Sequence, residues 1–113
     1  MRLTVVQMNP GANKDDNIAQ ARRLIEGAVA EDRPDIVSLP EVWDSLGGDR
    51  ATRTANAEKL PPPGSNEPGG QAYEFMRETA RTMKVHVHGG SIIEQGPEKL
   101  FNTTVVLIGR AHV

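Results

Sequence analysis

Hydrophobic positions recur first with a strand period and then with a helix period near the start of the chain. Residues 2–8 alternate, and both alternating sets are largely apolar, which predicts a strand covered on both faces, or on one face with an interface on the other. Asp15 or Asp16 provides an N-cap for an amphipathic helix that ends at Arg33-Pro34, since the residue before proline avoids helical angles. Residues 35–39 form the second strand. This order predicts a parallel pair of strands joined by a right-handed crossover.

A second amphipathic helix and two more strands are predicted in the last third of the chain. Apolar residues recur at helical spacing over residues 72–83, and Lys84 closes this helix. Residues 85–93 form a third strand interrupted by Gly89-Gly90, and residues 100–108 form a fourth strand that pairs with the third as a hairpin. Paired glycines within a strand predict that another backbone, or a ligand, approaches closely.

The segment between the second strand and the second helix, residues 44–69, is rich in charge, glycine and proline. Loops of this length in a compact domain are uncommon and usually form functional lids or pocket walls. The alternative is a linker between two domains, and we favour the wall because helix and strand patterns continue on both sides. Residues 56–60 are predicted to contain a short helical turn. The spacing from Gly64 to Gly69 is that of a phosphate loop, but Gln71 and Ala72 stand where Lys and Ser or Thr are needed.

Composition narrows the classes of partner and location. The 113 residues carry a net charge of −2, with 37% hydrophobic and 25% charged residues, which favours one soluble globular domain over a binder of nucleic acid or anionic membrane. No apolar run has the length of a membrane helix, and the chain begins with a strand pattern in place of a signal peptide, which predicts a cytoplasmic protein. The absence of cysteine excludes disulfides, cysteine-ligated zinc and a thiol nucleophile within these residues.

Glu41 is the leading candidate for chemistry. It follows the apolar strand at residues 35–39 and Pro40, so it is delivered to the end of a strand, where open α/β sheets hold their binding crevices. Leu39, Val42 and Trp43 give it partly apolar surroundings, of the kind that suit a carboxylate for proton transfer. The alternative, equally weighted on this stretch alone, is a structural cap of a helix or a partner of an arginine.

Two histidines in the third strand raise the question of a metal. His86 and His88 are two residues apart and share a face, a spacing that can hold a metal ion, but no third ligand is obvious nearby. We therefore favour packed or hydrogen-bonded strand histidines.

Four segments stand out by their order and spacing: Val-Val-Gln-Met-Asn at 5–9, Asp-Ile-Val-Ser-Leu-Pro-Glu at 35–41, Gly-Gly-Ser-Ile-Ile-Glu at 89–94 and Lys-Leu-Phe-Asn-Thr at 99–103. Together they resemble the amino-terminal part of the carbon-nitrogen hydrolase (nitrilase) superfamily. Within the superfamily the combination looks most like the omega-amidase branch, including Ala-Glu-Lys-Leu-Pro at 57–61.

The resemblance implies an α/β fold that is the amino-terminal part of an α-β-β-α sandwich, with subunits that pair as a homo-oligomer. It also implies a Glu-Lys-Cys triad without metal or organic cofactor, in which Glu41 is the general base, the lysine stabilises the tetrahedral intermediate and the cysteine forms a thioester. Asn102 and the bend at residues 89–91 are implied to shape the sheet end near the site. Trp43 is either a wall of the substrate pocket or a core residue.

The sequence departs from this family at two points. It contains no cysteine, and Lys59, Lys84 and Lys99 do not occupy the position of the family's lysine, which comes after the fourth strand. Residues 1–113 are therefore predicted to be a partial domain, inactive alone, whose tail at 110–113 does not continue in the family's usual way.

Three functions follow as hypotheses. The first is hydrolysis, by a longer protein, of a small linear amide such as the monoamide of a dicarboxylic acid, with no role for nucleic acid or membrane. The second is a short non-catalytic protein that binds a partner or assembles through the exposed face of its last two strands. The third is a small α/β ligand-binding domain in which Glu41 is a structural cap.

Overall fold

The computed structural model describes residues 1–109. In this range six strands form two sheets, and three helices accompany them. The predicted tail at residues 110–113 lies outside the described residues. In chain order the elements are β1 (Leu3–Val5), α1 (Lys14–Asp32), β2 (Ile36–Ser38), α2 (Arg50–Asn56), α3 (Gln71–Met83), β3 (His86–His88), β4 (Ile92–Gln95), β5 (Leu100–Thr103) and β6 (Val106–Leu107).

The larger sheet has the strand order β1-β2-β3-β6. Strands β1, β2 and β3 are parallel, with Leu3 opposite Ile36 and Ile36 opposite His86, so the predicted parallel pair is confirmed. Strand β6 adds to β3 in the antiparallel sense. Because the carboxyl ends of the three parallel strands meet at one edge of the sheet, residues that follow β2 and β3 lie next to each other.

The third and fourth predicted strands do not run through as single strands. Each breaks in the middle and continues in another sheet: β3 and β6 pair in the larger sheet, whereas β4 and β5 form a separate antiparallel pair. The predicted antiparallel pairing of these two segments is thus confirmed. The prediction that each segment is one continuous strand is wrong. The break at Gly90, whose φ is +57°, uses a left-handed conformation that glycine adopts without strain.

Helix α1 starts where an amide side chain caps it. The Asn13 side-chain oxygen accepts a hydrogen bond from the Asp16 N–H at 3.0 Å, so the predicted cap at Asp15 or Asp16 is wrong by two or three residues. Both aspartates instead lie in the first turn, where their negative charge interacts favourably with the helix dipole. The helix ends at Asp32, next to the predicted end at Arg33-Pro34, and Arg33 follows as its C-cap with a φ of +47°.

Helix α2 occupies a different place from the predicted helical turn at 56–60. The Asp49 side chain accepts from the Thr52 N–H at 2.8 Å and starts the helix there, which then ends at Asn56. Residues 57–59 are extended, and Glu58 forms a parallel bridge with Glu94 of β4. The loop at 44–69 therefore contacts β4 through Glu58.

The core lies between the larger sheet and helices α1 and α3. Val37 and Val87 are fully buried beneath apolar residues of both helices. On the opposite face, Val5, Ser38, His88 and Val106 form one row across the four strands, with Val5 74% and Val106 57% exposed. We call this the open face. Within residues 1–109, no helix is long and apolar enough to cross a membrane.

Candidate active site

Glu41 lies in a turn directly after β2, at the carboxyl edge of the larger sheet, and its side chain is exposed. Its Oε1 is 3.5 Å from Nδ2 of Asn102 on β5, a long contact that brings two of the predicted site residues together. The expected apolar enclosure is not formed by the described residues, because Leu39 and Trp43 are 3% and 0% exposed in the core and do not surround the carboxylate. Glu41 is therefore open to a reactant from solvent.

Residues 88–91 hold the backbone immediately before Glu41. The Leu39 N–H donates to the His88 carbonyl at 2.9 Å and the Ser91 N–H to the Pro40 carbonyl at 3.3 Å. A Cβ at Gly90 would overlap the Leu39 and Pro40 carbonyls, so only glycine fits there. The predicted close approach of another backbone is confirmed.

Trp43 is fully buried beneath this turn. Its Nε1–H donates to the Gly89 carbonyl at 2.9 Å, and its ring lies 5.8 Å from that of Phe75, centroid to centroid. A buried indole with a satisfied N–H is typical of core packing. Of the two roles considered for Trp43, the structure favours the core.

Val42 has a φ of +50°. A β-branched residue in this left-handed region is an outlier, because its Cβ crowds the following carbonyl. Such conformations persist only where the surroundings hold them, and they cluster at functional sites. Here the Val42 N–H donates to the Ser91 hydroxyl at 2.8 Å.

A second carboxylate group lies nearby in sequence but in a different environment. Glu58 is 5% exposed, and its oxygens accept the N–H groups of Ala72 at 2.6 Å and Tyr73 at 3.1 Å, at the start of α3. It also forms an ion pair with Lys14, whose ammonium donates to the Asn56 carbonyl at 2.6 Å. The Glu58 carboxylate thus caps the first N–H groups of α3, whose N-cap residue is Gly70, and it is the counter-ion of a largely buried lysine.

Asp44 lies next to Lys14 and Glu58, and its pKa is raised. Burial raises the pKa of Asp44 from 3.8 to about 6; the Lys14 ammonium, 3.6 Å away, opposes that rise and the Glu58 charge adds to it. Neither carboxylate oxygen of Asp44 has a hydrogen-bond partner in the described part of the chain. Lys14, Asp44 and Glu58 are called the buried charge cluster below.

The two strand histidines are hydrogen-bonded. Nδ1 of His88 lies 2.9 Å from the Ser38 hydroxyl, and Nδ1 of His86 accepts from the Gly109 N–H at 3.3 Å. Among residues 1–109 no group of three or more His, Asp or Glu side chains is placed to hold a metal ion.

The loop at 44–69 lines three grooves among the described residues, and two of them border α3. The first, of about 670 Å³, runs over Lys14 and Glu58 between the starts of α1 and α3. The second, of about 980 Å³, lies between residues 60–65, α3 and residues 103–109. Glu41 lines neither of these two grooves, so a reactant reaches it from solvent at the carboxyl edge of the larger sheet.

Four residues of structural importance around the site were not predicted from the sequence. The buried charge cluster joins positions 14, 44 and 58. The hydrophobic pattern of the helix that begins at Lys14 does not distinguish this lysine from an exposed one. Glu58 has no signal of its own within the segment at 57–61. Ser91 does carry a signal, because a serine after paired glycines favours a side-chain to backbone hydrogen bond.

Solved structures with the same fold define the class of this chain. The chain is similar to Saccharomyces cerevisiae Nit3, a member of branch 10 of the nitrilase superfamily, with a TM-score of 0.83 and 26% identity over 96% of this chain and 40% of that one. It also matches the fold of an N-terminal amidase solved with a Gln-Val peptide, with a TM-score of 0.76 and 19% identity over 97% of this chain and 25% of that one. The fold is thus of the nitrilase-superfamily type.

Sequence comparison then identifies the family. Residues 2–113 match the carbon-nitrogen hydrolase family. The chain is 33% identical to omega-amidase NIT2 of Danio rerio over 105 residues, which are 93% of this chain and 34% of that protein, and 32% identical to the Homo sapiens omega-amidase NIT2. This chain belongs to the carbon-nitrogen hydrolase family and spans about a third of the length of these relatives.

Proposed function

We propose that residues 1–113 supply Glu41 as the general base in hydrolysis of the carbon-nitrogen bond of a small linear amide. The preferred substrate is the terminal amide of a dicarboxylic acid monoamide, the class suggested by similarity to omega-amidases. The observation that carries the proposal is the position of Glu41. It is an exposed carboxylate at the carboxyl end of a parallel strand, and it forms no ion pair among residues 1–109. Its neighbours Pro40 and Val42 are both hydrogen-bonded to Ser91.

The mechanism uses Glu41 twice. Its carboxylate takes the proton of a cysteine thiol, and the thiolate attacks the amide carbon, while a lysine stabilises the oxyanion. The carbon-nitrogen bond then breaks, the nitrogen takes the proton and leaves as ammonia, and a thioester forms. Glu41 next takes a proton from water, and the water oxygen attacks the thioester carbon. The carbon-sulfur bond breaks, the acid is released, and the proton returns from Glu41 to the thiolate.

The nucleophile comes from outside this sequence. The chain contains no cysteine, and it aligns with only 34% of the length of the omega-amidase relatives. We infer that polypeptide beyond residues 1–113 supplies the thiol and the lysine. Glu41 and Asn102 form the part of the site that this sequence carries, with Asn102 a candidate contact for the substrate.

Ammonia release from a small panel of compounds tests the proposal, with the polypeptide in the form in which its source organism makes it. The panel comprises the monoamide of a four-carbon dicarboxylic acid, the corresponding nitrile, and an amide on a branched carbon. We expect ammonia and acid from the linear amide at a rate well above those from the other two. Release from the nitrile alone, or from none of the three, contradicts the proposal.

The open face supports a second candidate, which is assembly. Val5 and Val106, at the two ends of this face, are 74% and 57% exposed, and Ser38 and His88 lie between them. A sheet face with exposed apolar side chains at both ends is a candidate interface. A non-catalytic role through this face predicts a stable oligomer that Val5→Lys disrupts in sedimentation velocity, with no ammonia released from any amide. Catalysis by the same polypeptide rules out this purely structural role.

A further inference from the structure

We propose that Ser91 is a positioning residue for Glu41, whose hydroxyl holds Val42 in the left-handed conformation that sets the direction of the Glu41 side chain. The proposal rests on the proposed function for the role of Glu41. Ser91 itself does not touch the carboxylate and acts through the backbone. The relevant contacts lie at the junction where the chain leaves β3 of the larger sheet and enters β4 of the smaller one.

The first step is the conformation of Val42. Its φ of +50° is unfavourable for a β-branched residue, and it directly follows Glu41. If Val42 relaxed to a negative φ, the peptide between residues 41 and 42 would rotate and the Glu41 side chain would leave its present direction. Something must therefore hold this turn.

The second step is that Ser91 is placed to do so. It is 6% exposed, its hydroxyl accepts the Val42 N–H at 2.8 Å and its own N–H donates to the Pro40 carbonyl at 3.3 Å. Ser91 thus bonds the residues immediately before and after Glu41. Without the hydroxyl, the partly buried Val42 N–H has no partner in the described contacts, and a backbone donor left unpaired favours another conformation.

The third step connects this turn to the other sheet. Glu41 Oε1 lies 3.5 Å from Nδ2 of Asn102, so the direction of Glu41 determines whether the two site residues meet. Removal of the Ser91 hydroxyl should separate them without removing either. The side-chain amide signals of Asn102 in NMR therefore report on the positioning role independently of any activity.

The test is a double-mutant cycle of Ser91→Ala and Val42→Gly in the polypeptide as the source organism makes it. Glycine adopts a φ of +50° without strain, so the turn no longer depends on the hydroxyl when residue 42 is glycine. We expect Ser91→Ala to lower kcat for amide hydrolysis about tenfold, with KM changed less than about twofold, because a misplaced base slows the chemical step. In the Val42→Gly background the same change should lower kcat less than about twofold.

The matched control is Arg33→Gly. Arg33 has a φ of +47°, close to that of Val42, but it lies at the end of α1. The substitution Arg33→Gly relieves about the same backbone strain as Val42→Gly, but far from Glu41 in the chain. Arg33→Gly should therefore not restore the kcat of Ser91→Ala. Rescue by Arg33→Gly to the same degree as by Val42→Gly overturns the proposal, since the effect would then be one of general stability.

NMR separates this proposal from the proposed function. Ser91→Ala should shift the Asn102 side-chain amide signals, and Val42→Gly should return them toward those of the parent, even if no amide is hydrolysed. Unchanged Asn102 signals in Ser91→Ala overturn the positioning role. If Ser91→Ala does not fold, recovery of both fold and Asn102 signals in the double variant supports the role, and failure to recover contradicts it.

Discussion

Glu41 and Asp44 are carboxylates three residues apart in one turn, yet their surroundings differ in every physical respect. Glu41 is exposed, and its one contact of hydrogen-bonding type among the described residues is the long one to Asn102. Asp44 is fully buried, faces Lys14 and Glu58, and has its pKa raised to about 6 by that burial. The Glu41 side chain is thus exposed at the carboxyl edge of the sheet, whereas the Asp44 side chain is buried.

The difference separates a reactive role from a structural one. Glu58 and Asp44 share the ammonium of Lys14, and Glu58 also caps α3, so the buried charge cluster joins α1, the turn after β2 and the start of α3. Such a cluster is expensive to disrupt because removal of one member leaves the others charged and buried. Glu41 has no comparable structural duty. Substitutions in the two regions should therefore separate stability from activity.

The largest effect on stability is expected from Lys14→Met. This change leaves Asp44 and Glu58 as two buried carboxylates without a cation, and loss of one member of such a group typically costs about 3–5 kcal/mol of the free energy of unfolding. Urea denaturation at pH 7 measures it. The matched control is Lys59→Met, an exposed lysine on the same groove, which should change stability by less than about 0.5 kcal/mol. Equal losses for the two variants contradict the cluster's role.

The next largest effect is expected from Gly90→Ala. A methyl group there meets the Leu39 and Pro40 carbonyls and sits at a φ of +57°, so overlap and backbone strain together should cost about 3–4 kcal/mol. Gly64→Ala is the control, because Gly64 has a φ of +77° but nothing within 4 Å of an added Cβ. It should lose only the strain, about 1–2 kcal/mol by the same denaturation measurement. If the two variants lose the same amount, the close approach at Gly90 has no energetic importance.

The third prediction concerns pH. The pKa of Asp44 is about 6 when folded against 3.8 as its ordinary value, so the folded state binds the proton more tightly and the contribution of Asp44 to stability falls as pH rises from about 4 through 6. A rise of this size corresponds to at most about 3 kcal/mol at pH 7. Asp44→Asn should therefore gain stability relative to the parent as pH increases. A difference that stays constant from pH 4 to 7 contradicts an ionised, desolvated Asp44.

The position of Glu41 could be predicted from local sequence, whereas the buried charge cluster could not. A strand that ends at Pro40 delivers Glu41 to the sheet edge whatever the rest of the chain does. Lys14, Asp44 and Glu58 meet only because α1, the turn and the loop pack together, and no periodicity connects positions separated by 30 and 14 residues. The paired glycines correctly predicted a close backbone approach.

The breaks in the last two predicted strands show a further limit of periodicity. Hydrophobic alternation continues through residues 85–93 and 100–108, so it cannot show that the chain passes from one sheet to the other at Gly90 and Thr104-Val105. The position of helix α2 differs from the predicted helical turn for another reason. Asp49 caps it through Thr52, but this capping pair lies in a charged segment without an apolar stripe, which is typical of a loop.

The most direct test of the central claim is Glu41→Gln, measured for both amide hydrolysis and unfolding. The change keeps size and removes the base, and Glu41 is exposed with few contacts. We predict a loss of about 10²–10⁴ in kcat with the free energy of unfolding within about 0.5 kcal/mol of the parent. Glu67→Gln, also exposed, should leave both unchanged. Full activity in Glu41→Gln, or a loss of stability that accounts for the lost activity, would contradict the role of Glu41 as the base.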